Sequence, residues 1–179
     1  MLKKFDLQLF AEAVQGKQIV YLFRPLDKAT VNAASVLAFA TDNERTKSKD
    51  AESTATKDGN IRTPGVSETE ITATAILAKG DTLIDDLDAA MENDKVVECW
   101  EVNKAEPGTD SNSDKFKAMY FQGYITELSR SSGAEDMVEV SITYGANGAG
   151  KSGYATLSQE QQAVADYVFK DTTKETQGS

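Results

Sequence analysis

Between Asp42 and Leu77 the chain carries a long polar run, turns at Lys57-Asp58-Gly59-Asn60, and then alternates polar and apolar residues. No other stretch restricts the fold as much. Asp-Gly is a favoured type I′ hairpin turn, because both central residues tolerate positive φ. Beyond it Ile71, Ala73, Ala75 and Leu77 fall on one face, and Glu68, Glu70, Thr72 and Thr74 on the other. That is the period-two pattern of a half-buried strand. The arm before the turn, residues 43–56, contains no large apolar residue. It is expected to be either a disordered loop or a surface that orders against another subunit.

The rest of the chain supplies the body. Lys17 to Arg24 reads as a strand apolar on both faces, ended by Pro25, which suits a central sheet position. Val36 to Thr41 reads as a second strand and Lys95 to Asn103, with the only tryptophan, as another. Phe116 to Leu128 and Met137 to Tyr144 form a further pair, with a turn at Ser131-Ser132-Gly133. Leu83, Ile84, Leu87, Ala90 and Met91 make one apolar helical stripe that begins at Gly80-Asp81, with Asp81 as N-cap. Lys104 to Asp114 is expected to be a surface loop, and Ser158 caps a short C-terminal helix, Gln159 to Phe169.

The predicted fold is therefore mainly β: an antiparallel β-sandwich or partly open barrel of six or seven strands, with one internal α-helix, a long hairpin at about 42–78 and a short C-terminal helix. The expected organisation is an N-terminal arm over residues 1–16, a β-sandwich domain over 17–145, and a Gly-rich linker, short helix and disordered tail over 146–179. The arm's Phe5, Leu7, Leu9 and Phe10 need something to dock on. Polar residues interrupt this segment, so no export signal is expected. No apolar run is long enough for a membrane helix.

Composition argues against several functions. With 19 basic and 29 acidic residues the formal charge is −10, which repels nucleic-acid phosphates. There is no histidine, hence neither the commonest acid-base catalyst nor the commonest metal ligand. The single cysteine, Cys99, lies in an apolar segment and reads as a small core residue. The acidic residues from Asp81 to Asp94 lack EF-hand spacing and read as the solvated face of a helix, so no metal site is expected. Tyr120, Phe121, Tyr124 and Tyr144 read as core or interface aromatics. A monomeric binder of carbohydrate or a host receptor is the competing use for them.

One motif suggests catalysis. Gly145-Ala146-Asn147-Gly148-Ala149-Gly150-Lys151-Ser152 matches the phosphate-binding pattern G-x-x-x-x-G-K-[ST] letter for letter, so Lys151 and Ser152 would serve a small nucleotide hydrolase. The helix such a loop requires does not follow at once, and no parallel sheet is available. The preferred reading is a flexible Gly-rich linker. No catalytic residue, cofactor or metal is proposed.

Tyr21-Leu22-Phe23-Arg24, Phe39-Ala40-Thr41-Asp42, Thr54 to Gly59, Lys79-Gly80-Asp81 and Glu98-Cys99-Trp100-Glu101-Val102, in that order, resemble the major tail proteins of long, non-contractile-tailed bacteriophages of Gram-positive hosts. The resemblance implies a non-enzymatic virion protein that assembles into hexameric rings, stacked as a tube around a tape-measure protein and capped by tail terminator and distal tail proteins. The tube passes DNA without gripping it. Its expected place is the virion tail, and before assembly the host cytoplasm. The inner tube of a contractile injection system shares this architecture and is the structural alternative. Some relatives append an immunoglobulin-like domain, for which this chain is expected to be too short. On this reading Glu68 and Glu70 are candidates for the lumen wall. Arg45, Lys47, Lys49, Lys57 and Arg62, with Phe5, Leu7, Leu9 and Phe10, are candidates for subunit contacts.

Overall fold

The computed structural model describes residues 13–163. The candidate contacts Phe5, Leu7, Leu9 and Phe10 lie outside the described residues, as do most of the expected C-terminal helix and the tail. Eight strands are present: β1 (Ile19–Pro25), β2 (Ser35–Val36), β3 (Ala40–Thr56), β4 (Gly59–Ile76), β5 (Val97–Pro107), β6 (Phe116–Ser131), β7 (Glu139–Ala146) and β8 (Lys151–Ala155). They form one antiparallel sheet in the order β2-β1-β5-β6-β7-β4-β3, with β8 on β6. The sheet curls without closing. On edge strand β3, the Arg45 side chain meets Glu101 of β5 at 2.6 Å, although three strands stand between β3 and β5 in the sheet order.

Curling makes a concave face that one helix can cover. α1 (Leu83–Glu92) packs against β6 and β1, and its Leu83, Ile84, Leu87 and Ala90 share one core with Tyr21 and Phe23 of β1, Phe121 and Ile125 of β6, Ile71, Ala73 and Ala75 of β4, and Val140, Ile142 and Tyr144 of β7. The apolar stripe and the alternation of β4 thus meet in one core, as their periods require. Asp81 does accept a hydrogen bond at the helix start, from the Leu83 amide at 2.9 Å, although Thr82 occupies the cap position. A second, smaller cluster of Leu22, Val102, Ala118 and Leu157 lies on the convex face. It accounts for β1 being apolar on both sides. α2 (Gln159–Ala163) follows it, with Ser158 and Gln161 capping each other reciprocally at 3.2 and 3.0 Å.

Four sequence expectations need correction. The long hairpin expected at about 42–78 is present, and of the two expectations for its polar arm the disordered loop falls, since β3 runs through it and pairs with β4 as far as Thr56 and Gly59. The turn is not type I′, because only Gly59 has positive φ (129°), while the two turn residues Lys57 and Asp58 do not. Second, the expected strand over Val36 to Thr41 breaks at Phe39 (φ 52°), which separates β2 from β3. Third, β5 continues to Pro107 into the supposed surface loop.

The fourth correction concerns the Gly-rich stretch, which is not a flexible linker. β7 and β8 run one after the other along the same edge of β6, from the Ser131 and Glu139 pair to the Phe116 and Ala155 pair. Residues 147–150 form a bulge between them, eased by positive φ at Gly148 and Gly150. A side chain at Gly150 would meet the Phe121 ring at 2.4 Å. Composition suggested flexibility, but close packing explains this glycine.

Candidate assembly interface

The β3–β4 hairpin outruns the body. β4 pairs with β7 only from Thr69 onward, so among the described residues the segment 59–68 has β3 on one side and no strand on the other. Among the described residues no strand pairs with the outer edge of β3, which is last in the sheet order. Nearly every side chain from Arg45 to Val66 is exposed, including Ile61 and Val66, the latter at 84%. Such a ribbon gains little from packing, and its ladder is what holds it.

Register decides which side chains share a face. Arg45 faces Ile71, Lys47 faces Thr69 and Lys49 faces Ser67; Thr46 faces Glu70, Ser48 faces Glu68 and Glu44 faces Thr72. Directly opposed residues point to the same side, and successive residues to opposite sides. At the bulge the pairing passes from Lys49 and Ser67 to Ala51 and Pro64, so β4 carries one residue more than β3. Pro64-Gly65 supplies it where no amide donor is needed. Past the bulge Arg62 faces Ser53, and Thr63 faces Glu52.

The charges sort completely. Asp42, Glu44, Asp50, Glu52, Glu68 and Glu70 lie on the convex side; Arg45, Lys47, Lys49 and Arg62 lie on the concave side. Without the extra residue on β4, Arg62 would stand among the carboxylates. The carboxylate side continues into the body as a row of hydroxyls, where Thr72 faces Thr143 and Thr74 faces Ser141, the last two 3.3 Å apart. The sequence-derived candidates Glu68 and Glu70 thus share one face. Lys47, Lys49 and Arg62 share the other, and Lys57 sits at the turn.

Arg45 differs from the other basic residues. Its guanidinium pairs with Glu101 and sits over the Phe121 ring at 5.9 Å, while the Tyr21 hydroxyl donates to the same Glu101 oxygen at 2.7 Å. Burial, then the bond to Glu101, pushes the Tyr21 hydroxyl's pKa well above its ordinary value. Arg45 therefore clamps the hairpin root to its own body. Among the described residues Lys47, Lys49 and Arg62 form no ion pair.

The convex face has its own polar anchor, which the sequence reading missed. Glu98, 6% exposed, accepts from Arg24 at 2.8 Å and from the Tyr120 hydroxyl at 2.7 Å, and Arg24 lies 5.1 Å from the Trp100 ring. The signal was available, since Arg24 and Glu98 are the polar residues interrupting two apolar strands. Tyr144 is fully buried with its hydroxyl donating to Val97 O, and Cys99 is buried beside it, so both are core residues. Lys151 and Ser152 lie in β8 opposite Tyr120 and Met119, not at a helix start. That placement cannot cradle a phosphate.

The family model for phage tail tube proteins matches residues 13–152, which includes all eight strands except the end of β8. The chain belongs to that family. Phage tail tube proteins are structural proteins of the virion tail and not enzymes. A protein carrying a tail-protein name from Staphylococcus phage phiMR25 is 32% identical over 158 residues, 87% of this chain and 81% of that one. The tail tube protein gp17.1* of Bacillus phage SPP1 is 29% identical over 148 residues, 82% of this chain and 54% of that one. The solved SPP1 tail tube shares the fold, with a TM-score of 0.70 at 22% identity over 93% of this chain and 98% of that one. A chain from the sheath-tube complex of an extracellular contractile injection system, PVC, shares it more distantly: 0.53 at 16% over 83% of this chain and 95% of that one. Among the described residues of this tail tube protein no helix is long and apolar enough to cross a membrane.

Proposed function

We propose that this chain closes into hexameric rings, that the rings stack into a tube around a tape-measure protein, and that terminator and distal tail proteins finish its two ends. The observation that carries this reading is the charge-sorted hairpin with a free edge. A monomer gains nothing from holding a long, unburied ribbon with an unpaired backbone along one side. A ring of copies does, because each free edge finds a strand and a closed barrel leaves none over. The convex carboxylates and hydroxyls, Glu68 and Glu70 foremost, then line the lumen. DNA passing along them meets no cation and is not held. Assembly takes place from free subunits in the host cytoplasm.

Electron microscopy of the concentrated protein, and of virions that encode it, tests the reading directly. Rings with six-fold symmetry stacked into tubes are expected. Isolated subunits in one preparation and tails built of another protein in the second would overturn it.

A further inference from the structure

We infer that the basic face of the hairpin seats on the acidic α1 surface of a neighbouring copy, so that Lys47, Lys49 and Arg62 of one subunit meet Asp85 and Glu92 of the next. This inference rests on the tube reading and adds which surfaces meet. The charge sorting has no purpose inside one subunit. Among the described residues only Arg45 of the four concave-side cations has a carboxylate partner, and the ribbon beyond it carries the three others.

An occupant for that face must be acidic, and the chain itself provides one. With 29 acidic against 19 basic residues, a second copy is a net negative partner of charge −10. Its carboxylates are densest between Asp81 and Asp94, a stretch with six acidic and no basic side chains. Asp85, Asp88 and Glu92 fall on one side of α1, the side turned away from the core. Arg130 reaches Asp85 and Asp88 at 3.4 and 3.3 Å, which leaves this side with an excess of negative charge.

Two reversed variants test the contact. One carries Lys47→Glu, Lys49→Glu and Arg62→Glu; the other carries Asp85→Lys and Glu92→Lys. All five positions are exposed, so each variant is expected to keep the wild-type circular dichroism spectrum and elute as a folded subunit. Each alone is expected to need at least about tenfold more protein to form tubes, since like charges meet at every contact. Mixed in equal amounts, the two should form tubes together, because hairpin and helix are then complementary at every junction of an even-membered ring in which the two variants alternate. Wild-type assembly should also weaken as salt rises.

Tubes from either variant alone at wild-type concentration would overturn the inference, leaving the tube reading intact. Failure of the mixture would do the same, provided that placing all five reversals in one chain restores tubes, because the pairing would then lie within a subunit. If neither the mixture nor the five-fold variant forms tubes, these surfaces are not partners and the inference falls. Absence of tubes from the wild type in the same microscopy would instead remove the tube reading beneath it.

Discussion

The β3–β4 hairpin continues two strands of the body it leaves, yet ribbon and body are held by different forces. From Ile71 to Ala75 every second residue of β4 is buried in the core, whereas from Gly59 to Val66 none is. The body is a core with a sheet around it. The ribbon is a ladder with charges sorted to its sides. The contrast teaches that hydrophobic burial fixes the subunit, while the register of a solvated ribbon prepares what the subunit does next.

The sharpest way to break that contrast is to remove one apolar side chain from each region. Leu87 is fully buried between α1 and the sheet. Leu87→Ala is expected to cost about 2–5 kcal/mol in denaturant unfolding, the transfer and cavity terms together. Val66→Ala, at a site 84% exposed, should stay within about 0.5 kcal/mol of wild type. Comparable losses at both positions would mean that the ribbon packs on its own body after all.

A smaller effect is expected from the polar anchor on the convex face. Glu98→Ala leaves Arg24, with a side chain 19% exposed, without its carboxylate and frees the Tyr120 hydroxyl. The loss should be about 3 kcal/mol, most of it the cost of an unpaired, largely buried cation. The equivalent change on the ribbon, Glu68→Ala, should leave subunit stability unchanged. Equal shifts in unfolding midpoint would deny that Glu98 is structural and Glu68 is not.

Alkaline pH separates the regions more gently. Burial raises the pKa values of Tyr21 and Tyr144, with the Glu101 bond adding to it for Tyr21. The folded state then keeps these protons above the unfolded tyrosine value of about 10, while the unfolded chain releases them. Their contribution is complete below that pH and is lost as pH rises through the folded values. The thermal midpoint should therefore fall above about pH 10. A midpoint that stays level there would refute the burial argument for both tyrosines.

How much of this was legible in the sequence depended on whether burial left a pattern. The alternation over β4 and the stripe of α1 were readable because each buries one face, and the order of short motifs was enough to suggest the family. β3 was not readable as a strand past Asn43: with both faces in water, Lys47, Glu52 and Thr54 carry no apolar period. β8 escaped for a related reason, since its exposed residues follow Gly148 and Gly150 and composition resembled a linker. Register escaped altogether. Which side Arg62 takes depends on one extra residue at Pro64-Gly65, and no charge pattern along the strand reveals it. Alternation had already set Glu68 and Glu70 on the face opposite the core, whereas the basic contact candidates were chosen by residue type near the turn, and the face they share emerged only from pairing.

Trypsin gives the finest test, because it measures the ladder without changing global stability. Cleavage needs several residues of extended, unpaired backbone, so it follows local opening. Opening the ribbon from its tip sacrifices hydrogen bonds but little apolar contact, and it grows costlier toward the root, where Arg45 is tied to Glu101. In the free subunit, cuts are expected first after Lys57 in the turn, then after Arg62 and Lys49, and last after Arg45. In assembled tubes Lys57 to Lys47 should all become resistant, as a ribbon buried between copies cannot open. Cleavage after Arg45 as early as after Lys57 would show that the hairpin opens as a unit with its root. Unchanged cleavage in tubes would show that the ribbon stays in solvent, however its charges are sorted.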